Sequence, residues 1–297
     1  MEKGKVQILM STYNGEKFLK EQLESLLRQT YQNLEILVRD DGSKDGTCEI
    51  LREYEKKYSN VHVYLEDNVG VTKSFFELLK KSDADYIAFS DQDDVWLEEK
   101  VEKAVEKLKI LEEPALYCSN KILVDSELNI IAENNHKKLI PGFENAVVEC
   151  ICTGCTSMMN RSLAENIKEH IPKRAIIHDW WCYLVASYLG KVIFDDNSYI
   201  WYRQHGGNVI GASPTLFGTI CAKAEYVKKN KGKLKGQLGD FAQLYRQDSE
   251  KDNLVQLLLS SEKMPAKAKV VFGRTFYRQE KLDNLITRIL FLINRML

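Results

Sequence analysis

The 297-residue chain has no apolar run that approaches the length of a membrane span, so no transmembrane anchor is read from it. Its opening, Met1-Glu2-Lys3-Gly4-Lys5, lacks the long apolar segment of a secretory signal and passes straight into a strand-like run. A cytoplasmic protein is therefore expected. Seven cysteines are an odd count, and without secretion they give no disulfide framework; reduced, mostly buried thiols fit better. There is no internal repeat and no low-complexity tract, which excludes fibrous and disordered classes. Net charge is nearly absent as well, with 42 Lys+Arg against 43 Asp+Glu. What is present is ordinary apolar content in a chain long enough to bury a full core, as one large domain or one domain with an appendage.

The near-neutral total hides an asymmetry. Residues 221–297 carry 16 Lys+Arg against 8 Asp+Glu, which leaves about −9 on the preceding 220 residues. The last segment has apolar residues at 282, 285, 286, 289, 293 and 296, a helical spacing with one broad greasy face flanked by Arg288 and Arg295. That face suits either an anionic inner-membrane surface or packing on the catalytic domain or a second subunit, as in a homodimer.

Upstream, strand-like and helix-like segments alternate. Strands are predicted at 6–10, 34–38, 61–65, 86–89 and 115–118, and helices at 16–28, 45–58, 72–81 and 97–111. Residues 121–125 and 129–132 read as a hairpin, a helix follows Asp179 to Leu189, and 192–194 and 199–202 read as two short strands. Alternation of this kind implies βαβ units and a mainly parallel sheet. A break from Gly206 to Pro214 precedes a wholly helical C-terminal part, giving expected domains of 1–210 and 211–297.

Chemistry concentrates at strand ends. Asp91-Gln92-Asp93-Asp94 follows the apolar run Tyr86-Ile87-Ala88-Phe89, at the carboxyl end where open α/β sheets bind ligands. Carboxylates so close repel one another, and a divalent cation relieves them; the competing reading is an acid-rich helix N-terminus. Asp40-Asp41-Gly42-Ser43 closes the second strand, either as a nucleobase-reading turn or as a turn with a helix cap. Asp179, in His178-Asp179-Trp180-Trp181, is either a base or a helix cap beside core tryptophans. Cys150, Cys152 and Cys155 lie close in sequence, but their spacing matches neither a zinc ribbon nor a finger, which favours a strand-loop segment that shapes an acceptor pocket.

Ser11-Thr12-Tyr13-Asn14, Arg39-Asp40-Asp41-Gly42-Ser43-Lys44-Asp45-Gly46-Thr47, Asn68-Val69-Gly70 and Ser90-Asp91-Gln92-Asp93-Asp94-Val95-Trp96 together resemble glycosyltransferase family two in order and spacing. Gly154-Cys155-Thr156, Asp179-Trp180-Trp181 and Tyr202-Arg203-Gln204-His205-Gly206-Gly207-Asn208 resemble its bacterial rhamnosyltransferase-like branch. The resemblance covers roughly the first 210 residues. It implies an α/β A-type glycosyltransferase fold with helices flanking a central, mostly parallel sheet and a C-terminal helical extension. It also implies a nucleotide-diphosphate-sugar donor, Mg²⁺ or Mn²⁺, and inversion at the anomeric carbon.

By the same resemblance Asp40 reads the base beside Thr12 and Tyr13, with Asn68 and Lys73 at the donor pocket. Asp91 holds the ribose or a metal-bound water, Asp93 and His205 ligate the metal, Asp94 faces the donor sugar, Arg203 meets the pyrophosphate, and Asp179 is the catalytic base. The expected function is transfer of L-rhamnose from dTDP-L-rhamnose to a bacterial surface polysaccharide or lipid-linked saccharide acceptor, at the cytoplasmic membrane face and with no nucleic-acid partner. Two alternatives stand beside it: a UDP-hexose or UDP-N-acetylhexosamine transferase of the same fold, and a non-catalytic nucleotide-sugar-binding scaffold subunit.

Overall fold

A computed structural model describes residues 4–133, 138–205 and 232–296. In chain order the elements are β1 (Val6–Thr12), α1 (Leu19–Leu27), β2 (Leu34–Asp40), α2 (Thr47–Lys57), β3 (Val61–Leu65), α3 (Val71–Lys81), β4 (Tyr86–Ser90), β5 (Val95–Trp96), α4 (Lys100–Leu108), β6 (Ala115–Val124), β7 (Ile130–Glu133) and α5 (Phe143–Ala146). They continue with β8 (Ser157–Asn160), α6 (Arg161–Glu169), α7 (His178–Leu189), β9 (Lys191–Arg203), α8 (Lys233–Leu244), α9 (Glu250–Leu259), α10 (Ala266–Phe272) and α11 (Lys281–Leu292). The chain packs as two units: Met1–Leu139, Cys152–Ile171 and Ile177–His205 form the first, and Ile140–Ile151, Pro172–Ile176 and Gly206–Leu297 the second.

The first unit is a single mixed sheet in the order β3-β2-β1-β4-β8-β6-β9-β5, with β7 on β6. β1 lies between β2 and β4, parallel to both, and its run of buried apolar residues is what a strand covered on both faces requires. Helix α1 turns Leu19, Leu23 and Leu26 into the same core, a 3.6-residue repeat. Register fixes what lies at the ligand-binding edge. Thr12 sits opposite Asp40, and Met10 opposite Ser90, so the carboxyl ends of three strands present their following loops side by side.

The sheet is parallel from β3 to β4, and then β8 enters antiparallel between β4 and β6. β8 is Ser-Met-Met-Asn, four residues without a β-branched side chain, and so carries almost no strand pattern. Asn160 at its end accepts the amides of Ala115 and Leu163, and thereby joins the strand to the start of α6. The two short strands expected at 192–194 and 199–202 are one strand, β9, which stays paired to β6 through register shifts around Asn120. The intervening Asp-Asn-Ser stretch reads as a break in sequence, and the irregular register absorbs it.

In the second unit, buried polar clamps gather short segments of the chain around the C-terminal helices. Asp240 accepts the amides of Lys173 and Arg174 and the Arg174 Nε, while Gln237 accepts the Ile176 amide. Glu149 accepts Arg278 and the Gln279 amide. Segments 140–151 and 172–176 thus belong with the helical part, although they lie within the 1–210 range expected for the first domain. The boundary near 210 and the residues Gly206, Gly207 and Asn208 lie outside the described residues.

Candidate active site

The loops after β1 and β2 are laced together by their own side chains. Asp40, buried at the end of β2, accepts Thr12 Oγ1 at 2.9 Å and Ser43 Oγ at 2.5 Å on Oδ2, and the Gly42 and Ser43 amides at 3.1 and 2.8 Å on Oδ1. Both carboxylate oxygens are filled within the turn, so Asp40 shapes this corner by organising the Gly42 turn, where φ is +81°. Across the gap the Asn14 amide donates to Ser43 Oγ and Asn14 Oδ1 accepts the Lys44 amide, each at 2.8 Å.

Asp41 is turned the other way. Its carboxylate takes the Val69 and Gly70 amides at 2.9 and 2.8 Å and pairs with buried Arg39, while Asn68 Nδ2 donates to the Asp41 carbonyl. Asn68 is thereby committed to holding the loop before α3, and Lys73 stands exposed on that helix. Asp41→Ala would strand the Arg39 guanidinium in the interior. The expected cost is about 3–5 kcal/mol in a urea titration, the usual penalty of an uncompensated buried charge.

Gln92 ties this corner to the acidic loop after β4. It accepts the Tyr13 amide at 2.8 Å and donates to the Tyr13 carbonyl at 3.1 Å, which leaves the Tyr13 ring half-exposed beside the cluster. Beyond Gln92, Asp93 Oδ2 meets His205 Nε2 at 2.8 Å, and the His205 ring lies against Phe18. Asp94 is buried. Its Oδ1 accepts the Arg203 amide at 3.1 Å, and its Oδ2 has no hydrogen-bond partner.

Asp91, Asp94 and Cys155 bring ligand atoms within 4.8 Å of one another, the one such group of three among the described residues. The Cys150, Cys152 and Cys155 thiols do not converge; Cys152 faces Cys118 at 2.7 Å. Burial, followed by the charges of Asp93 and Asp179, pushes the Asp91 carboxyl up to about 7. Burial and the charges of Asp91 and Asp93 raise Asp94 well above the usual carboxylate range.

Arg203 is fully engaged. It lies over the Phe18 ring, and its guanidinium donates to the Asp93 and Ser126 carbonyls and to Glu21. The sequence expectation placed it on a pyrophosphate; here its geometry positions the Asp93-Asp94 turn, because a buried guanidinium takes every acceptor within reach.

Asp179 lies in the first turn of α7, which presents free backbone N–H groups. Its Oδ1 accepts the Trp180 amide at 2.6 Å and its Oδ2 the Gly154 amide at 2.9 Å. Burial pushes its carboxyl up to about 6 against those two bonds and the charge of Lys121. Trp180 and Trp181 are buried in the core, not presented as a platform. His178 is buried between Phe75 and Phe89, and burial takes its imidazole down to about 3, so it stays neutral beside Asp179.

Two further groups bear on Asp179: one has no sequence signal, and the other the sequence marks only through the Gly154-Cys155-Thr156 resemblance, not as a donor. Lys121, on β6, donates to Thr153 Oγ1 at 3.0 Å and lies over the Tyr202 ring; its charge bears on Asp91, Asp179 and Cys155 together. The Gly154 amide is the other. A lysine inside a strand pattern and a backbone donor are both invisible until β6 and the 153–156 turn are brought together.

The laced Asp-Asp-Gly-Ser turn, the acidic loop after β4 and the buried Asp179 carboxylate are gathered at the carboxyl edge of the sheet. A family model described as Glycosyl transferase family 2 matches residues 7–168, and the chain belongs to that family. In sequence it is rhamnosyltransferase-like: it is 30% identical over 232 residues to the dTDP-rhamnosyl transferase RfbG of Shigella flexneri, covering 73% of this chain and 76% of that protein. It is also 36% identical over 102 residues to the putative teichuronic acid biosynthesis glycosyltransferase TuaG of Bacillus subtilis, covering 34% of this chain and 40% of that one.

Among solved structures, S. aureus TarS 1-349 in complex with UDP superposes with a TM-score of 0.61 at 17% identity, over 98% of this chain and 80% of that one. Mannosyltransferase PcManGT from Pyrobaculum calidifontis in complex with GDP-Man and Mn2+ gives 0.60 at 15% identity, over 99% and 75%. These likenesses show the fold, an A-type glycosyltransferase sheet with flanking helices and a helical C-terminal part.

Proposed function

We propose that the chain transfers L-rhamnose from dTDP-L-rhamnose, with inversion, onto a saccharide or lipid-linked saccharide acceptor of a bacterial surface polysaccharide. The observation that carries the mechanism is Asp179, a buried carboxylate held by the Gly154 amide and close enough to Asp91 for its charge to raise the Asp91 carboxyl. An inverting transfer needs one carboxylate to take the acceptor's hydroxyl proton as its oxygen attacks the anomeric carbon. With a carboxyl near 6, Asp179 is ionised at neutral pH and still basic enough for that step.

The residues fit a divalent cation. Asp94 Oδ2 is buried without a donor, and the repulsion among Asp91, Asp93 and Asp94 is what a hard cation with oxygen ligands relieves. Asp93 and His205 would hold it, with Asp91 beside the donor's ribose or a metal-bound water. When bound, the ion neutralises charge on the departing nucleotide diphosphate. The chain itself does the rest. The turn built by Asp40 and Thr12 walls the nucleobase pocket, Tyr13 offers its ring face, and Lys73 supplies a cation toward the donor. Arg203 keeps the Asp93-Asp94 turn in place, and the Gly154 amide keeps Asp179 oriented.

The sugar and nucleotide rest on similarity to the Shigella flexneri protein. Thymine and uracil differ by one methyl, worth only about 1 kcal/mol. A competition between dTDP-L-rhamnose and UDP-glucose at equal concentration should consume the rhamnose donor faster. A clear preference for UDP-glucose or UDP-galactose would move the chain to a UDP-hexose transferase of the same fold.

A further inference from the structure

Helix α11 is built inside out. Leu282, Leu285, Ile289, Leu292 and Ile293 are each between 47 and 58% exposed, on a spacing of three and four residues that forms one outward stripe. The inward side holds Thr287 and Phe291, both buried, and Arg278 reaches across to Thr287 and Asp283. Arg288, which flanks the apolar face in sequence, donates to the carbonyls of Val270, Val271, Gly273 and Phe276. A helix that only packs on its own domain turns its apolar stripe inward and its charges to water. This one ties Thr287 and Arg288 into internal bonds and leaves the stripe outside.

The neighbouring surface selects the occupant. Phe272, at the end of α10, is 81% exposed, and Lys269, Arg274, Lys281 and Arg295 are exposed on the same pair of helices and their flanks. Residues 266–296 carry seven Lys or Arg against two acidic residues. A second copy docked face to face would bring like charges together, whereas an anionic bilayer satisfies both the stripe and the surplus. The helix has 12 residues, roughly 18 Å at 1.5 Å per residue, too short to cross a bilayer and suited to lying in its plane. No helix among the described residues is long and apolar enough to cross a membrane.

We infer that the outward face of α11, with Phe272 and the surrounding basic residues, docks on an anionic lipid surface. The test is co-sedimentation of the full chain with vesicles of phosphatidylglycerol and phosphatidylcholine, against vesicles of phosphatidylcholine alone. Binding is expected only to the anionic vesicles and should weaken as salt is raised. Replacing both Leu285 and Ile289 by Glu should lower partitioning at least about tenfold, since it removes apolar contact and adds repulsion. Both side chains face outward, so an unchanged circular dichroism spectrum and thermal midpoint should show that the variant is folded. Should it fail to fold, Lys269→Glu with Arg274→Glu offers the same readout from the charged rim. Equal binding of wild type and folded variant to anionic vesicles would overturn the inference. So would a wild type that ignores anionic vesicles but sediments as a dimer that the variant loses, because the stripe would then be a subunit interface.

Discussion

Asp179→Asn is expected to leave donor affinity nearly unchanged while transfer falls by about 10²–10⁴-fold, the usual worth of a positioned general base. The amide keeps the size of the side chain and one oxygen for the Gly154 N–H, so the loop it holds should stay in place. What it loses is the ability to take a proton. The pH profile gives a second readout. Burial raises the Asp179 carboxyl to about 6, and the ionised form is the active one. Wild-type transfer should therefore be full above that pH and fall as pH drops through it, and the residual rate of the Asn variant should lack that limb. Unchanged turnover in the variant would remove Asp179 from the chemistry and return it to the role of a helix-terminal acid.

Chelation should abolish transfer, and Asp93→Ala should lose both metal-dependent donor binding and activity. Asp91, Asp93 and Asp94 crowd negative charge that repels an incoming diphosphate unless a counter-charge is supplied, and the cationic groups nearby are already engaged: Arg203 by three acceptors, Lys121 by Thr153 and the Tyr202 ring. His205→Ala should show the same defect in milder form, because Asp93 remains. Isothermal titration of Mn²⁺ with and without nucleotide would read this directly. Full activity in excess EDTA would mean that the acidic loop needs no ion and that the chain's own cations serve the leaving group.

Much of this site is legible in the sequence, since the positions that carry it are strand ends. Apolar runs at 6–10, 34–38 and 86–89 locate β1, β2 and β4, and the polar residues just beyond each run therefore fall on one edge of the sheet. The structure brings Thr12, Tyr13, Asp40 and the Asp91–Asp94 loop together there, through Gln92. The sequence does not show which of two chemically able acids faces inward. Asp40 and Asp41 are neighbours in sequence with opposite partners, one shaping the Gly42 turn and the other clamping Val69 and Gly70. Nor can it separate an arginine available to a ligand from one consumed within the fold, as Arg203 and Arg288 are, because apart from Glu21 beside Arg203 those acceptors are backbone carbonyls with no residue signature. β8 is missed for want of pattern, and with it the placement of Cys155 and the Gly154 amide against the acids. For α11 the spacing gives the helix and its apolar face but leaves open whether that face is packed or outward, and only packing decides it: the stripe faces outward.

The most direct test of the account is the anomeric configuration of the first product. Proton NMR of the sugar released or transferred from dTDP-L-rhamnose, taken before the free sugar equilibrates, should show the anomer opposite to that of the donor, as a single displacement assisted by Asp179 requires. Release with the donor's own configuration would demand a covalent or otherwise doubly displaced intermediate, and would contradict the assignment of Asp179 as a base.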